Sequence, residues 1–502
     1  LASILATPPN VDMDLIADRK ALVAVDLGAQ SCRVSILCWN SGEPHIQLVH
    51  RFPNAPRETS TGLRWNVEGI FLGIDRGLRI AGTKAPEGIA SIAIDGWAVD
   101  YVRLLENGSP VADSFCYRDP RTEEAEREIH ALLPASRLYA LTGVQILRIN
   151  TLYQLYADKL ANDDPTLPWI NLPEFMTYRL CGKRVSEYTN ATHSGLVALG
   201  THKWCDTIFN ELGLHLPAAP EIVPSGSILG NLTGDLAQLS EFRDTKVIVP
   251  ACHDTASAIA AIPATGNDWA FISSGTWSLV GTILESPCVS DAARAANFTN
   301  LGGIGGKICF LKNVNGMWLL RQCMDEWQRL GERWSLPDLL SACASLPPPQ
   351  SLIDVDDPQL MLPGDTLNKI NEQLRRLGQT PLAPDHAGIP TIANLVFHSL
   401  AARYAEVLSA IAKVTGKNLK RLFIVGGGNQ NTLLNRLTAE RVGIEVVLGS
   451  TESTTIGNFA VQLAALQGDC TASTGVSANS VARWAERLMS QSLAPVSDPA
   501  AG

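Results

Sequence analysis

The chain has 502 residues, 46% apolar and 18% charged, with 40 Lys+Arg against 50 Asp+Glu for a net charge of −10. That length gives two or three domains with large cores, and an acidic chain without a basic run is a poor partner for nucleic acid or anionic lipid. No uninterrupted apolar run approaches the ~18 residues of a membrane span, and eleven cysteines without a C-x-x-C pair argue against a zinc ribbon or dithiol redox motif and read as reduced thiols of a cytoplasmic protein.

Asp12, Asp14 and Asp18 precede any basic residue, the wrong charge order for a secretory signal, so residues 1–20 read as a short tail. Ala21–Val25 is a short apolar run ending in Asp26-Leu27-Gly28, a buried strand and a turn. Cys32, Val34, Ile36 and Cys38 alternate with their neighbours as a second strand, and Ile46 to Phe52 forms a third. Asn66 is a good N-cap for a helix whose apolar face is Val67, Ile70, Phe71, Ile74 and Leu78. Ile89 to Ile94 is another buried strand, closing on Asp95. Val247–Val249 delivers His253-Asp254 to a run of small residues that should open a helix.

Pro263–Asn267 is a turn-rich break, after which the grammar repeats. Trp269–Ser273 runs into Ser274-Gly275-Thr276, and Trp277–Leu284 returns. Leu346–Gln350, with three prolines, marks an irregular insert. Ile392, Leu395, Val396, Leu400, Val407, Leu408 and Ile411 fit a long amphipathic helix. Then come a strand at Leu422–Val425, the triplet Gly426-Gly427-Gly428, a helix from about Asn431, a strand at Ile444–Leu448 and a final helix near Thr455–Leu466. The last dozen residues read as frayed.

Two α/β halves, each with a hydroxyl- and glycine-bearing hairpin turn, suggest a duplicated domain gripping one ligand from both sides. In Asp26–Ser31 the glycine and small residue let backbone amides approach a phosphate, and Asp26 is placed to hold a magnesium ion through water. Alone, each turn is a weak signal and reads first as structural; the pair in register is the stronger signal. No P-loop is present, and Asn431 stands where a dinucleotide fingerprint needs its third glycine. Gly426–Gly428 reads either as a ligand loop or as a tight turn. Asp254 reads as a general base at a helix start or as that helix's N-cap, and His253 as a ligand contact or a structural histidine.

The stretches V-A-V-D-L-G-A-Q-S-C-R-V from Val23, C-Y-R-D-P-R-T from Cys116, N-T-L-Y-Q-L from Asn150, E-Y-T-N-A-T from Glu187, H-D-T-A-S-A from His253, S-S-G-T-W-S-L from Ser273, K-N-V-N-G-M-W-L-L from Lys312 and I-V-G-G-G-N-Q-N from Ile424 occur in that order. Together, from about Leu22 to Gln467, they resemble the FGGY family of carbohydrate kinases. The resemblance implies an α/β fold of two duplicated actin/hexokinase-like (ribonuclease H-like) ATPase domains with a cleft between them. It implies an N-terminal domain at 21–262 with the sugar site, first phosphate turn and base, a nucleotide-binding domain at 263–468, and an extension at 469–502.

It further implies ATP and Mg²⁺ as cofactors, a small sugar as partner, and a monomer or small homo-oligomer. Ala29, Gln30, Ser31, Cys32 and Arg33 would form the first phosphate turn and Thr276 the second. Asn313, Arg321 and Gly427 would meet the nucleotide, Asp254 would be the base, and Ala98, His253 and Thr255 would face the sugar. Tyr117, Arg118, Asp119 and Arg121 would offer hydrogen bonds to a polyol, or form an inter-domain salt-bridge cluster. Y-R-D-P-R, N-T-L-Y-Q-L and H-D-T-A-S-A point to L-rhamnulose, phosphorylated on its 1-hydroxyl. Other ketose or polyol kinases of the family (fuculose, xylulose) and a non-catalytic actin-like ATPase switch stay open. Three positions depart from the family pattern: Cys32 and Ala98 stand where it has glycine, and Arg321 where it has glutamine. A cysteine at 32 is acceptable only if its φ is negative.

Overall fold

A computed structural model describes residues 20–362 and 364–489. The tail expected before Lys20 and the frayed C-terminal dozen lie outside the described residues.

In the N-terminal half, Ala21–Leu27, Ser31–Asn40 and Glu43–Pro53 form an antiparallel meander. The first strand also pairs in parallel with Ile89–Gly96, which pairs in parallel with Lys246–Ile248. Strand Ile228–Asn231 completes a six-stranded sheet. Ala21–Leu27 is buried along its whole length because it is central and covered on both faces. The helix Val67–Thr83 starts as the sequence dictates, with the Asn66 side chain accepting from the Gly69 amide.

The C-terminal half repeats the plan. Trp269–Ser274 and Trp277–Leu284 form the hairpin, Ile308–Asn315 extends it, and Arg421–Val425 and Glu445–Leu448 add parallel strands on the other side. Thr299–Gly302 is the sixth strand. The helix Ile389–Thr415 passes a length-and-composition test for a membrane span, yet 61% of its most apolar window is buried inside the structure. It is the core helix of this half, with Ile392, Val396, Leu400 and Tyr404 packed in its largest apolar cluster. Leu346–Gln350 lies outside any helix or strand, as the prolines require.

The helix Ser453–Leu466 is not the final one. Ala478–Met489 follows and packs on it, so the segment expected as an extension contributes Val481, Trp484 and Leu488 to a shared core. That core includes Leu22, Ala24 and Ile248 from the N-terminal sheet. Asn458 and Gln462 on the 453–466 helix donate to the Ala93 and Val23 carbonyls of that sheet, and Ser91 Oγ donates to Gln462 Oε1 at 2.6 Å. A Cβ at Gly457 would collide with the Ser257 carbonyl, so glycine is what lets this helix touch the Asp254–Ala260 helix. All eleven cysteines are free.

Candidate active site

Strand ends converge where the halves meet. Asp26, one residue before the end of the first strand and 6% exposed, accepts at Oδ2 from Arg33 Nη1 at 2.9 Å across the hairpin. The turn between them is pinned from outside by Asn54, whose Nδ2 donates to the Gly28 carbonyl and whose amide donates to Gln30 O. A Cβ at Gly28 would sit 2.6 Å from the Ser31 carbonyl, so the turn needs glycine there. Gln30 is exposed, Ala29, Ser31 and Arg33 are half-buried, and Arg51 donates to Ser31 Oγ at 3.2 Å. Cys32 does not have a positive φ, so no backbone strain attends the loss of glycine. Its side chain is buried in the core, where desolvation pushes the thiol up to about 12.

The strand after Lys246 leads to Cys252-His253, and the helix Asp254–Ala260 begins. His253 holds the N-cap position and Asp254 is already inside the first turn, so Asp254 is not the cap. Its carboxylate accepts from Thr255 Oγ1 at 3.1 Å, while about a third of the side chain stays open. Burial lifts Asp254 to about 6. Burial also lifts Asp26 to about 6, against the lowering pull of Arg33, with the Asp254 charge adding to the rise. Burial drives the His253 imidazole down to about 3, so it is neutral; its ring lies 3.9 Å from that of His193, and its Nε2 is 3.4 Å from Asp254 Oδ1.

Behind these groups, Glu187 organises the approach. Its carboxylate accepts from the Cys252 amide at 2.9 Å, Ser225 Oγ at 2.6 Å and Thr189 Oγ1 at 2.5 Å. Glu187, Glu174 and Asp95 are each buried without being candidates from the sequence. The sequence signal for Glu187 was its place at the head of E-Y-T-N-A-T.

In the C-terminal half, Gly275 and Thr276 form an exposed turn held by the helix Met317–Arg329: the Met317 and Trp318 amides donate to the carbonyls of Gly275 and Thr276. Gly426 has φ +87, and a Cβ at Gly428 would collide with Ser274 Oγ, so the glycine triplet packs on the hairpin turn. Gly427 faces open space. Contacts across the halves bring the two turns to one junction. Arg33 Nε is 3.9 Å from Glu452 Oε2, Asn313 Nδ2 donates to Gln145 Oε1 at 2.8 Å, and the Arg118 guanidinium stands 5.3 Å from the Trp318 ring.

Arg321 lies on an exposed helix face, paired with Asp325 at 3.0 Å, one turn along from the Trp318 whose amide holds Thr276. One expectation needs correction. In Y-R-D-P-R, Asp119 accepts from the Leu63 and Arg121 amides, and Arg121 pairs with Asp158 at 2.6 Å beside Arg103. The partners of those two residues lie within the N-terminal half, so they do not form the inter-domain cluster; Tyr117 and Arg118 remain at the junction. Ala98, 8% exposed, sits on the loop that leaves Gly96 beside His253.

The comparisons agree with this geometry. The N-terminal domain of the FGGY family of carbohydrate kinases matches residues 21–261, and its C-terminal domain matches 270–466. A rhamnulokinase of Bacteroides thetaiotaomicron is 36% identical over 444 residues, covering 88% of this chain and 89% of that protein. One from Oceanobacillus iheyensis is 35% identical over 88% of this chain and 93% of its own length. Among solved structures, a ligand-bound xylulose kinase from Lactobacillus acidophilus superposes with a TM-score of 0.73 at 16% identity, covering 93% of this chain and 96% of that one. Glycerol kinase from Plasmodium falciparum with ADP gives 0.70 at 13% identity over 93% and 92%. With two such halves, each an α/β domain of the actin-like ATPase plan, the chain belongs to the FGGY family of carbohydrate kinases, enzymes that use ATP.

Proposed function

We propose that this kinase transfers the γ-phosphoryl group of ATP to the 1-hydroxyl of L-rhamnulose in the cytoplasm. The observation that carries the sugar assignment is the identity of about a third, held over 88% of the chain, with the rhamnulokinases named above.

Asp254 is the general base in this reading. It is ionised above pH ~6, partly open, and anchored at a strand-to-helix turn that Glu187 holds through the Cys252 amide. It takes the proton as the sugar oxygen bonds to the γ-phosphorus and the bond to the ADP oxygen breaks. A base contributes ~10²–10⁴-fold, so the remainder falls to positioning and to fixed dipoles. The amides of Ala29 to Arg33 and of Gly275-Thr276 supply those dipoles for the phosphates. Gly427 and Asn313 flank the nucleotide, and neutral His253, Thr255 and Ala98 face the sugar.

Among the described residues no trio of His, Cys, Asp or Glu is set to hold a metal. Asp26, at the phosphate turn and paired with Arg33, is the carboxylate that would meet, through water, a magnesium ion carried mainly by the nucleotide phosphates. When bound, magnesium would neutralise phosphate charge.

An ADP-release assay over L-rhamnulose, L-fuculose, D-xylulose and glycerol tests the assignment. L-rhamnulose should give the highest kcat/KM. A much faster reaction with D-xylulose or glycerol would overturn the sugar and leave the family in place.

A further inference from the structure

The strand Ile89–Gly96 ends between two functional turns. The Gly96 amide donates to the Cys252 carbonyl at 2.9 Å and the Trp97 amide to the Leu27 carbonyl at 3.3 Å. A Cβ at 96 would stand 2.7 Å from the Leu27 Cβ, so glycine permits this approach. The chain then passes through Trp97, Ala98, Val99 and Asp100 before the short strand Tyr101–Arg103.

Val99 has φ +73, the left-handed region that a β-branched residue avoids. Strain of this kind persists only where the surroundings over-determine it, and it gathers at ligand sites. Here the surroundings are specific. Thr151 Oγ1 donates to the Val99 carbonyl at 2.7 Å, and Gln154 Nε2 donates to the same carbonyl at 3.3 Å and to Asp100 Oδ1 at 3.1 Å. Asp100 also accepts from the indoles of Trp65 at 2.6 Å and Trp97 at 2.9 Å. Thr151, Gln154 and Asp100 are all at most 1% exposed. Three residues apart on the helix Thr151–Leu160, Thr151 and Gln154 share one face. The N-T-L-Y-Q-L stretch thus serves a loop about fifty residues earlier.

We propose that Thr151 and Gln154 are positioning residues for the sugar. They hold Val99 in its left-handed conformation and thereby fix where Trp97 and Ala98 meet the substrate. The proposal rests on the reading above that this loop lines the sugar site. A valine forced into place gives a loop with one conformation, whereas glycine at 99 would reach the same conformation without help and keep others accessible.

The test uses the full chain. Thr151→Val and Gln154→Met are made alone and each combined with Val99→Gly, and KM for the wild type's best sugar, KM for ATP, kcat and melting temperature are measured. Each single variant should raise the sugar KM ten-fold or more and leave the ATP KM within two-fold. Adding Val99→Gly should recover most of the loss, because glycine accepts φ +73 unclamped. Thr151→Val, nearly isosteric and lacking one bond, carries the test if Gln154→Met does not fold. Unchanged sugar KM in the folded single variants, or a loss that Val99→Gly leaves untouched, overturns the proposal. A wild type that phosphorylates no sugar instead overturns the functional reading on which it rests.

Discussion

Asp26 and Asp95 are register partners on adjacent parallel strands, both buried, and Asp95 Oδ2 takes a bond from Asn458 of the C-terminal half at 2.5 Å. Burial raises Asp95 well above the usual carboxylate range, and the charges of Asp26 and Asp254 add to the rise. Burial favours the uncharged form of this carboxyl, which asparagine resembles in shape.

Asp95→Asn should therefore fold with stability within about 1 kcal/mol of wild type at pH 7. Asp95→Ala strands the Asn458 donor in a dry site and should cost about 1–3 kcal/mol. Denaturant unfolding of the two variants checks the difference; equal losses would mean that Asp95 is ionised.

For Asp254→Asn the expectation is a fall in kcat of ~10²-fold or more, with ATP binding and melting temperature largely kept. Because His253 holds the cap position, the substitution removes no N-cap. The same carboxylate sets a pH profile: kcat/KM should rise through about pH 6 and level off above it, since the base works only when ionised. Retained turnover in the asparagine variant would end the mechanism.

Thr276→Val removes a hydroxyl from the exposed second turn without disturbing the carbonyl that receives the Trp318 amide. ATP use should weaken by about 1.5–3 kcal/mol, the scale of a hydrogen bond to a charged group. An ATP KM equal to wild type would move the phosphate contact to other atoms of the turn.

Glu174 supplies a stability prediction. Burial, with the neighbouring Glu187 charge, lifts it from an ordinary 4.5 to about 8. The folded state keeps the proton that the unfolded chain releases, so its contribution is whole below pH 4.5 and lost as pH climbs to about 8. Melting temperature should fall between pH 5 and 8, and Glu174→Gln should flatten part of that slope. An unchanged slope in the variant would assign the pH dependence to other groups.

Much of this was readable from residues alone. Alternation in Cys32–Cys38 and the apolar run at Ala21–Val25 fixed the first hairpin, and the same grammar at Trp269–Leu284 marked the repeat. What escaped was long-range. Glu187 reaches the Cys252 amide across 65 positions and Gln154 reaches Asp100 across 54, and no local periodicity encodes such a partner. The alternation of roles in Y-R-D-P-R was likewise invisible until Asp158 was seen beside Arg121. The helix Ala478–Met489 was legible in Val481, Trp484, Ala485 and Leu488, whose spacing is that of one buried face; reading the segment as a mere extension hid it.

The helix Ser453–Leu466 belongs to the second half by sequence and to the first by packing. A cut at the family boundary would therefore strip the N-terminal sheet of its cover at Leu22, Ala24 and Ile248, leaving a sticky fragment rather than a free-standing domain. Gly457 seated on Ser257 and Asn458 bonded to Asp95 tie this helix to the N-terminal half at two further points.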